Sequence, residues 1–457
     1  MANKAKFSSK IGLIAATVGS SVGLGNIWRF PAEVQSNGGA AFLLIYIICV
    51  ALLGIPVMLA EFSLGRAGQT DTVSVFSRLA PKKKWWIAGA LALLASYMIL
   101  SFYMVVAGWT FSYLWESITG NLFAGINYDS TSGLETGFTH KMEQYICSNT
   151  EPLINTYIMI LANIGVLLLG VRKGIERMSN ILMPLLFLLL LIFAGVSLTL
   201  PGAEAGVSYF LTPDFSKITP SVVVSALGQA FFSLSLGMGI LITYAAYYPR
   251  DTRLLQTSVT VASLDMVVAV MMGLVIFPAV ASFGLDQAAL RGTTLVFVTL
   301  PEVFVQLPGT PVWAILFFTL LLVAALTSTI SIAEVSISFI EDKFHRSRFV
   351  ACMIVLLPLF VFSGICTLSF GMLSDWKIAG LGVFDFLDTV STNIMLPVVS
   401  ILVCLFIGWF APKGLFRHEL TNGGSLQGRL YPAVSFIVRY IAPLLILAIL
   451  LSWIFKA

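Results

Sequence analysis

Residues 181–198 read ILMPLLFLLLLIFAGVSL, eighteen consecutive positions without a charge. Such a run has no polar face to turn toward water. About 20 apolar residues wound as a helix cross the hydrocarbon core of a bilayer, and the chain repeats the pattern. Spans are predicted at 11–34, 40–62, 88–117, 152–170, 178–200, 220–247, 257–283, 312–340, 349–368, 383–410 and 433–454. Composition agrees. Of 457 residues 58% are hydrophobic and 11% charged, against about a quarter charged in a soluble domain. The expected fold class is therefore an all-α polytopic membrane protein with 11 transmembrane helices. A net charge of +4 gives no case for nucleic-acid binding.

The basic residues test the count. Cytoplasmic loops carry an excess of Lys and Arg. With the N-terminus inside, 19 of the 26 basic residues fall in inner loops and 5 in outer ones, with Arg29 and Arg439 inside spans. A miscounted helix would swap the later loops and spoil the asymmetry. The expected topology is an N-terminus inside and a C-terminus outside. The start, MANKAKFSSK, lacks the pattern of a cleaved leader. Two outer loops, 118–151 and 284–311, are long for connectors, and the second suggests short helices packed over a vestibule. Glu334, near the inner end of its span, is expected to snorkel toward the headgroups.

Several chemistries find no support. Cys49, Cys352 and Cys404 lie in apolar stretches without metal-ligand spacing, and Cys147 and Cys366 fall on the outer side. His140, His345 and His418 lie in loops, so an intramembrane histidine proton relay is not supported. No Ser/His/Asp or Cys/His constellation suggests an enzyme.

Two spans carry an internal echo. Ser21-x-Gly23-x-Gly25 in the first returns as Ser235-x-Gly237-x-Gly239 in the sixth. Glycines in one membrane helix commonly serve close packing. A matched pair in corresponding halves points instead to a transporter built from two inverted repeats with discontinuous helices. Unwinding a helix at mid-membrane frees carbonyls for a small cation and N–H groups for a carboxylate. It is tolerated only where protein lines the cavity. The expected organisation is 1–200 as one five-helix repeat, 201–411 as its inverted partner, and 412–457 as a loop and an eleventh helix. A channel can also use such breaks, but needs no amino-acid pocket.

The segments GSSVGLGNIWRFP (19–31), NGG (37–39), EFSLGR (61–66), GQAFFSLSLGMG (228–239) and AALTSTISI (324–332) together resemble the neurotransmitter:sodium symporter family. The resemblance runs through spans 1 to 10 and is strongest to prokaryotic amino-acid carriers of the cell membrane, including an eleven-helix type. It implies sodium-coupled import of an amino acid with two Na+ as coupling ions. The implied first sodium site is the Ser21 carbonyl, Asn26, Ser233, Asp265 and the substrate carboxylate. The second is carbonyls of Gly19, Val22 and Ala324 with hydroxyls of Thr327 and Ser328. All are oxygen ligands, as a hard cation requires.

By the same resemblance, main-chain groups of Ser21, Gly23 and Gly25 and the Tyr103 hydroxyl hold the substrate carboxylate. Carbonyls near Phe232 and Ser233 accept from its ammonium. Ile99, Phe232, Ser235, Met238, Ser328 and Ile332 line the side-chain pocket. Monoamine carriers have Asp where this chain has Gly23, so the expected substrates are hydrophobic or aromatic α-amino acids. Leucine-type members have Asn at position 265 and Glu one turn later; here Asp265 precedes Ala269, which implies a fixed negative charge and chloride independence.

The implied gates are Arg29 with Asp388 outside, Lys4 with Asp342 inside, and an aromatic lid of Tyr103 and Phe232. Glu61 is expected to accept from freed N–H groups of the sixth span. Gly174 and Pro184, in the fifth, mark where a helix frays to hydrate the second sodium site.

Overall fold

The computed structural model describes residues 6–124, 135–284 and 295–454. Within them nine helices are long and apolar enough to cross a bilayer: Ala40–Gly68, Trp86–Thr119, Glu151–Leu168, Val171–Leu198, Leu254–Phe283, Thr310–Phe344, Arg348–Leu368, Val383–Phe410 and Tyr431–Ser452. One further crossing is a bent pair, Lys10–Ser21 and Gly25–Ser36, meeting at 54°. A second interrupted segment, counted below as span 6, is the short apolar helix Pro220–Ser233 followed by Ile240–Ala246, with residues 234–239 between them. In chain order the two interrupted segments are the first and the sixth. Nine spanning helices and one bent pair, among the described residues, make this an all-α polytopic membrane protein.

Local chemistry explains both breaks. In the first span the backbone turns extended at Val22 (φ −71°, ψ 102°). It rewinds as a wide π turn over Gly25–Arg29, and Pro31 sits where a following helix tolerates its missing N–H. In the sixth, Gly237 and Gly239 take φ of 79° and 75°, a left-handed region glycine enters without steric cost. Ser235 sits there too, at φ 55°.

The interrupted spans lie at the centre. The first half of span 1 packs on spans 5, 7 and 8; the second half of span 6 packs on span 2; spans 3 and 8 run against each other at length. Small residues permit these approaches. A Cβ on Gly237 would lie 2.5 Å from the Leu396 carbonyl, and one on Gly65 would overlap the Ile242 carbonyl. Outward, Leu52, Leu161, Leu188, Leu191 and Leu444 stay exposed, as lipid-facing side chains do.

The structure revises some expected boundaries. Residues 171–177 are no connector: the fifth span begins at Val171 with a π-helical turn, Val171–Glu176, running into Arg177–Leu198. Spans 2 and 8 extend further, to Gly68 and Phe344. The two long connections, 118–151 and 284–311, hold a helix, Glu135–Cys147, and a π turn with a short helix, Leu295–Thr299 and Leu300–Val305. The latter is buried, with Phe297 against Trp109, Tyr113 and Phe318. Residues 125–134 and 285–294 lie outside the description. Cys147 is exposed and Cys366 buried, and both are free thiols.

Candidate functional site

The break in span 1 faces spans 3, 6, 7 and 8, and most of the expected residues meet there. Asn26, on the π turn, is fully buried. Its amide nitrogen donates to Ser233 Oγ at 3.0 Å and to Asp265 Oδ1 at 2.9 Å, and its amide oxygen accepts from the Gly23 N–H at 3.3 Å. Ser233 Oγ donates to Asp265 Oδ2 at 2.6 Å. Three residues from three spans thus form one closed polar cluster. Buried polar groups need such partners. The Ser21 hydroxyl turns back to the Thr17 carbonyl at 3.4 Å, so its side chain serves its own helix.

The second expected cluster joins spans 1 and 8. Ser328 Oγ lies 3.5 Å from the Val22 carbonyl. Thr327 Oγ1 donates to carbonyls of Val323 and Ala324 at 3.0 and 3.1 Å, the back-bonding common for Thr in a helix. A Cβ on Gly19 would touch the Thr327 side chain at 3.4 Å. Spans 1 and 8 thus approach at Gly19, Val22, Thr327 and Ser328, with the Ser328 hydroxyl near a main-chain carbonyl of span 1; these are oxygen donors, the kind a hard cation takes.

Between these clusters, the Leu24 N–H donates to the Tyr103 hydroxyl at 2.9 Å. A Cβ on Gly23 would come within 2.5 Å of Ser328 Oγ and 2.8 Å of that hydroxyl. One on Gly25 would lie 2.7 Å from the Phe232 ring. Ile99, Met238 and Ile332 are buried on spans 3, 6 and 8, and Ser235 is buried beside the first break, its hydroxyl donating to the Ser20 carbonyl at 2.9 Å. Glu61 accepts from the Gly237 N–H at 2.8 Å, where the sequence reading placed it.

The gates differ from expectation in detail. Arg29 lies over the Phe232 ring, 4.5 Å from its centroid, and 4.0 Å from Glu33 one turn on. Asp388 lies with Arg29 and Glu33 around a cavity of about 530 Å³, and no ion pair within 4.0 Å joins it to Arg29 among the described residues. At the expected inner gate, Asp342 accepts from Thr70 Oγ1 at 3.3 Å; Lys4 lies outside the described residues. Gly174 and Pro184 sit in a span that is helical throughout. Gly174 packs its α-carbon side against the Val166 carbonyl.

Glu334 does not snorkel. It is fully buried and takes both oxygens to Arg348, at 2.9 and 2.6 Å, while Tyr247 donates to it at 2.7 Å. The outward reach that snorkelling needs is blocked because Arg348 folds inward from the start of span 9.

Three participants were missed. Tyr46 lies 3.3 Å from Ser233 Oγ and 3.5 Å from Asp265 Oδ2; a lone phenol in AAFLLIYIICV carries no spacing signal. Gln229 donates to the Gly25 carbonyl at 3.1 Å, and its amide inside an apolar span was the available hint. Glu33 stands four residues after Arg29, a helical pair spacing.

Broken central helices with buried polar groups at the breaks, wrapped by continuous helices, are an architecture of membrane carriers of small solutes. The comparisons make the class specific. The model of the sodium:neurotransmitter symporter family matches residues 4–131 and 135–457, and the chain belongs to that family. It is 35% identical to an uncharacterised sodium-dependent transporter, YhdH, of Bacillus subtilis, over 98% of this chain and 97% of that one. It is 27% identical to the sodium-dependent serotonin transporter of Drosophila melanogaster, over 97% and 75%. Among solved structures, the crystal structure of MhsT in complex with L-phenylalanine matches with a TM-score of 0.88 at 41% identity, covering 98% of this chain and 100% of that one. The protein is a sodium-coupled transporter of the membrane.

Proposed function

We propose that the chain imports hydrophobic or aromatic L-amino acids with sodium by alternating access, without chloride. The observation that carries this is the crowding at Gly23. With no side chain there, the Leu24 N–H and Tyr103 hydroxyl can face a substrate carboxylate. An Asp at that position, suited to a lone amine, would collide with Ser328. MhsT, at 41% identity, was crystallised with L-phenylalanine, which supports the same substrate class.

In this reading the cluster of Ser21, Asn26, Ser233 and Asp265 takes one sodium, with the substrate carboxylate as a shared ligand. Gly19, Val22, Ala324, Thr327 and Ser328 take a second. Sharing makes sodium and substrate raise each other's affinity. Asp265, buried within that cluster, supplies the fixed charge a bound anion would otherwise provide. Ile99, Met238, Ile332 and Phe232 receive the side chain, and Arg29, Asp388, Tyr103 and Phe232 close the site outward. Residues 1–200 and 201–411 act as inverted repeats, with the N-terminus cytoplasmic. Sodium at the second site favours the outward-facing state, and its release follows loosening of the span that holds Gly174 and Pro184.

The test is uptake in proteoliposomes under an imposed sodium gradient, across a panel of neutral amino acids, with chloride or gluconate. The reading expects saturable uptake of one or more hydrophobic amino acids that is unchanged in gluconate. Failure of every hydrophobic amino acid to accumulate would refute it.

A further inference from the structure

The segment preceding span 1 is held from two sides. Phe7 is buried, and its ring meets Tyr244, Tyr247 and Tyr248 of span 6 with centroids 5.9, 6.2 and 6.2 Å away. Its N–H donates to the Tyr247 carbonyl at 3.3 Å. The next two residues turn to span 5 instead. Ser8 donates to the Glu176 carboxylate through its N–H at 2.9 Å and its hydroxyl at 2.7 Å. Ser9 does the same through both groups at 3.1 Å. Arg172 Nε donates to the Lys6 carbonyl at 2.7 Å. Ser9 Oγ also accepts from the Gly12 N–H at 2.9 Å, capping span 1.

Glu176 is 2% exposed, and among the described residues no cation lies within ion-pair distance of it. Among the described residues, its carboxylate takes its hydrogen bonds from Ser8 and Ser9. Gly12 leaves the room: a Cβ there would stand 2.6 Å from Glu176 Cδ and nearer still to other atoms of that side chain. Both Arg172 and Glu176 belong to the π turn that opens span 5. A π turn is a rare, single-turn form. Here it follows Gly170 at φ 78°, which ends span 4, and runs directly into the α-helix Arg177–Leu198. Four hydrogen bonds to Glu176 and one from Arg172 tie this turn to the segment before span 1.

We propose that Glu176 is a latch: a positioning residue that clamps the first turn of span 5 to Ser8 and Ser9. In the closed form it locks together the inner half of span 1 and the start of span 5. Opening toward the side of the basic loops breaks these bonds, so the turn and the N-terminal segment are freed in one event. The assignment rests on the alternating-access reading for its role in transport; the closed geometry stands by itself.

The test uses the full chain in nanodiscs, in sodium, with hydrogen exchange followed at residues 6–12 and 171–178. In Glu176→Gln and in the double variant Ser8→Ala/Ser9→Ala, exchange at both segments should quicken together by about tenfold, the shift expected from losing one hydrogen bond to a charged group. Exchange within Ala40–Gly68 should stay unchanged. The hydroxyl-keeping variant Ser8→Thr/Ser9→Thr should restore slow exchange. Should Glu176→Gln fail to fold, the serine variants decide the matter. Wild-type exchange in Ser8→Ala/Ser9→Ala, or quickening at one segment only, overturns the latch. Equally fast exchange in the threonine variant also overturns it, since packing would then be the cause. Exchange is read without transport, so a wild-type chain that shows no sodium-driven uptake defeats the symport reading on a separate measurement. In working proteoliposomes the latch variants should raise the half-saturating sodium concentration, because a ligand of the outward state must offset a larger inward population.

Discussion

Ser235 donates its hydroxyl hydrogen to the carbonyl of Ser20 at 2.9 Å, bonding the break of the sixth span to the break of the first. The serine of the second S-x-G-x-G motif therefore grips Ser20, the residue beside the serine of the first. Ser235 adopts φ 55° to do so, a conformation costly for a side chain with a Cβ and kept where the surroundings hold it.

Two substitutions separate the bond from the strain. Ser235→Ala keeps the left-handed strain and loses the bond, so it should destabilise the folded protein by about 1 kcal/mol. Ser235→Gly loses the bond but relieves the strain, so its thermal midpoint should lie above that of Ser235→Ala. The midpoints in detergent check this; equal values for both variants and wild type would remove any structural role for the bond.

Gly23 makes a sharper case. Its missing Cβ would sit 2.5 Å from Ser328 Oγ and 2.8 Å from the Tyr103 hydroxyl. Gly23→Ala should reduce substrate binding by about tenfold or more, since a displacement of polar partners worth 1.4 kcal/mol already gives that factor. The thermal midpoint should change little, because the strain falls on two side chains of the site. Equilibrium binding of a radiolabelled hydrophobic amino acid measures the effect. Unchanged affinity would place the carboxylate elsewhere.

Much of this was legible in the sequence, and unevenly so. Apolar length and the echoed glycines located the crossings and both breaks, because a bilayer forces helices and only special residues interrupt them. Asn26, Ser233 and Asp265, far apart in sequence and grouped only by the family resemblance, share hydrogen bonds in the fold. Side chains whose meaning depends on a distant partner stayed hidden. Glu334 looked like a headgroup anion because Arg348 lies beyond a turn, and only folding brings its guanidinium to 2.6 Å. Residues 171–177 read as a loop because RKGIER is polar, yet Glu176 is buried by Ser8 and Ser9, far away in sequence.

Asp265 carries the prediction on anions. It is fully buried, and Ser233 and Asn26 donate to its two oxygens. Asp265→Asn removes the fixed charge while keeping the shape. Sodium-driven uptake in gluconate should fall by about tenfold or more, the effect of one lost ion-ligand interaction of 1.4 kcal/mol, and chloride should restore part of it. The comparison of uptake in chloride and gluconate, for wild type and variant, gives the answer. A chloride requirement already present in the wild type would defeat the assignment.

Glu334 and Arg348 supply the prediction on stability. Arg348 grips both oxygens of a carboxylate with no exposure, donates to the Leu167 carbonyl at 2.9 Å and pairs with Glu341 at 3.2 Å. Removing one partner of a buried pair leaves an uncompensated charge, at a cost of about 3–5 kcal/mol. Arg348→Ala should therefore lower the thermal midpoint more than any other substitution discussed. Arg348→Lys keeps the charge but loses the two-pronged geometry, and should fall between it and wild type. In Glu334→Gln/Arg348→Ala neither charge remains buried alone, so the double variant should melt above Arg348→Ala although it carries one more change. A double variant no more stable than Arg348→Ala would mean that Arg348 acts through Leu167 and Glu341, with the buried carboxylate of no consequence.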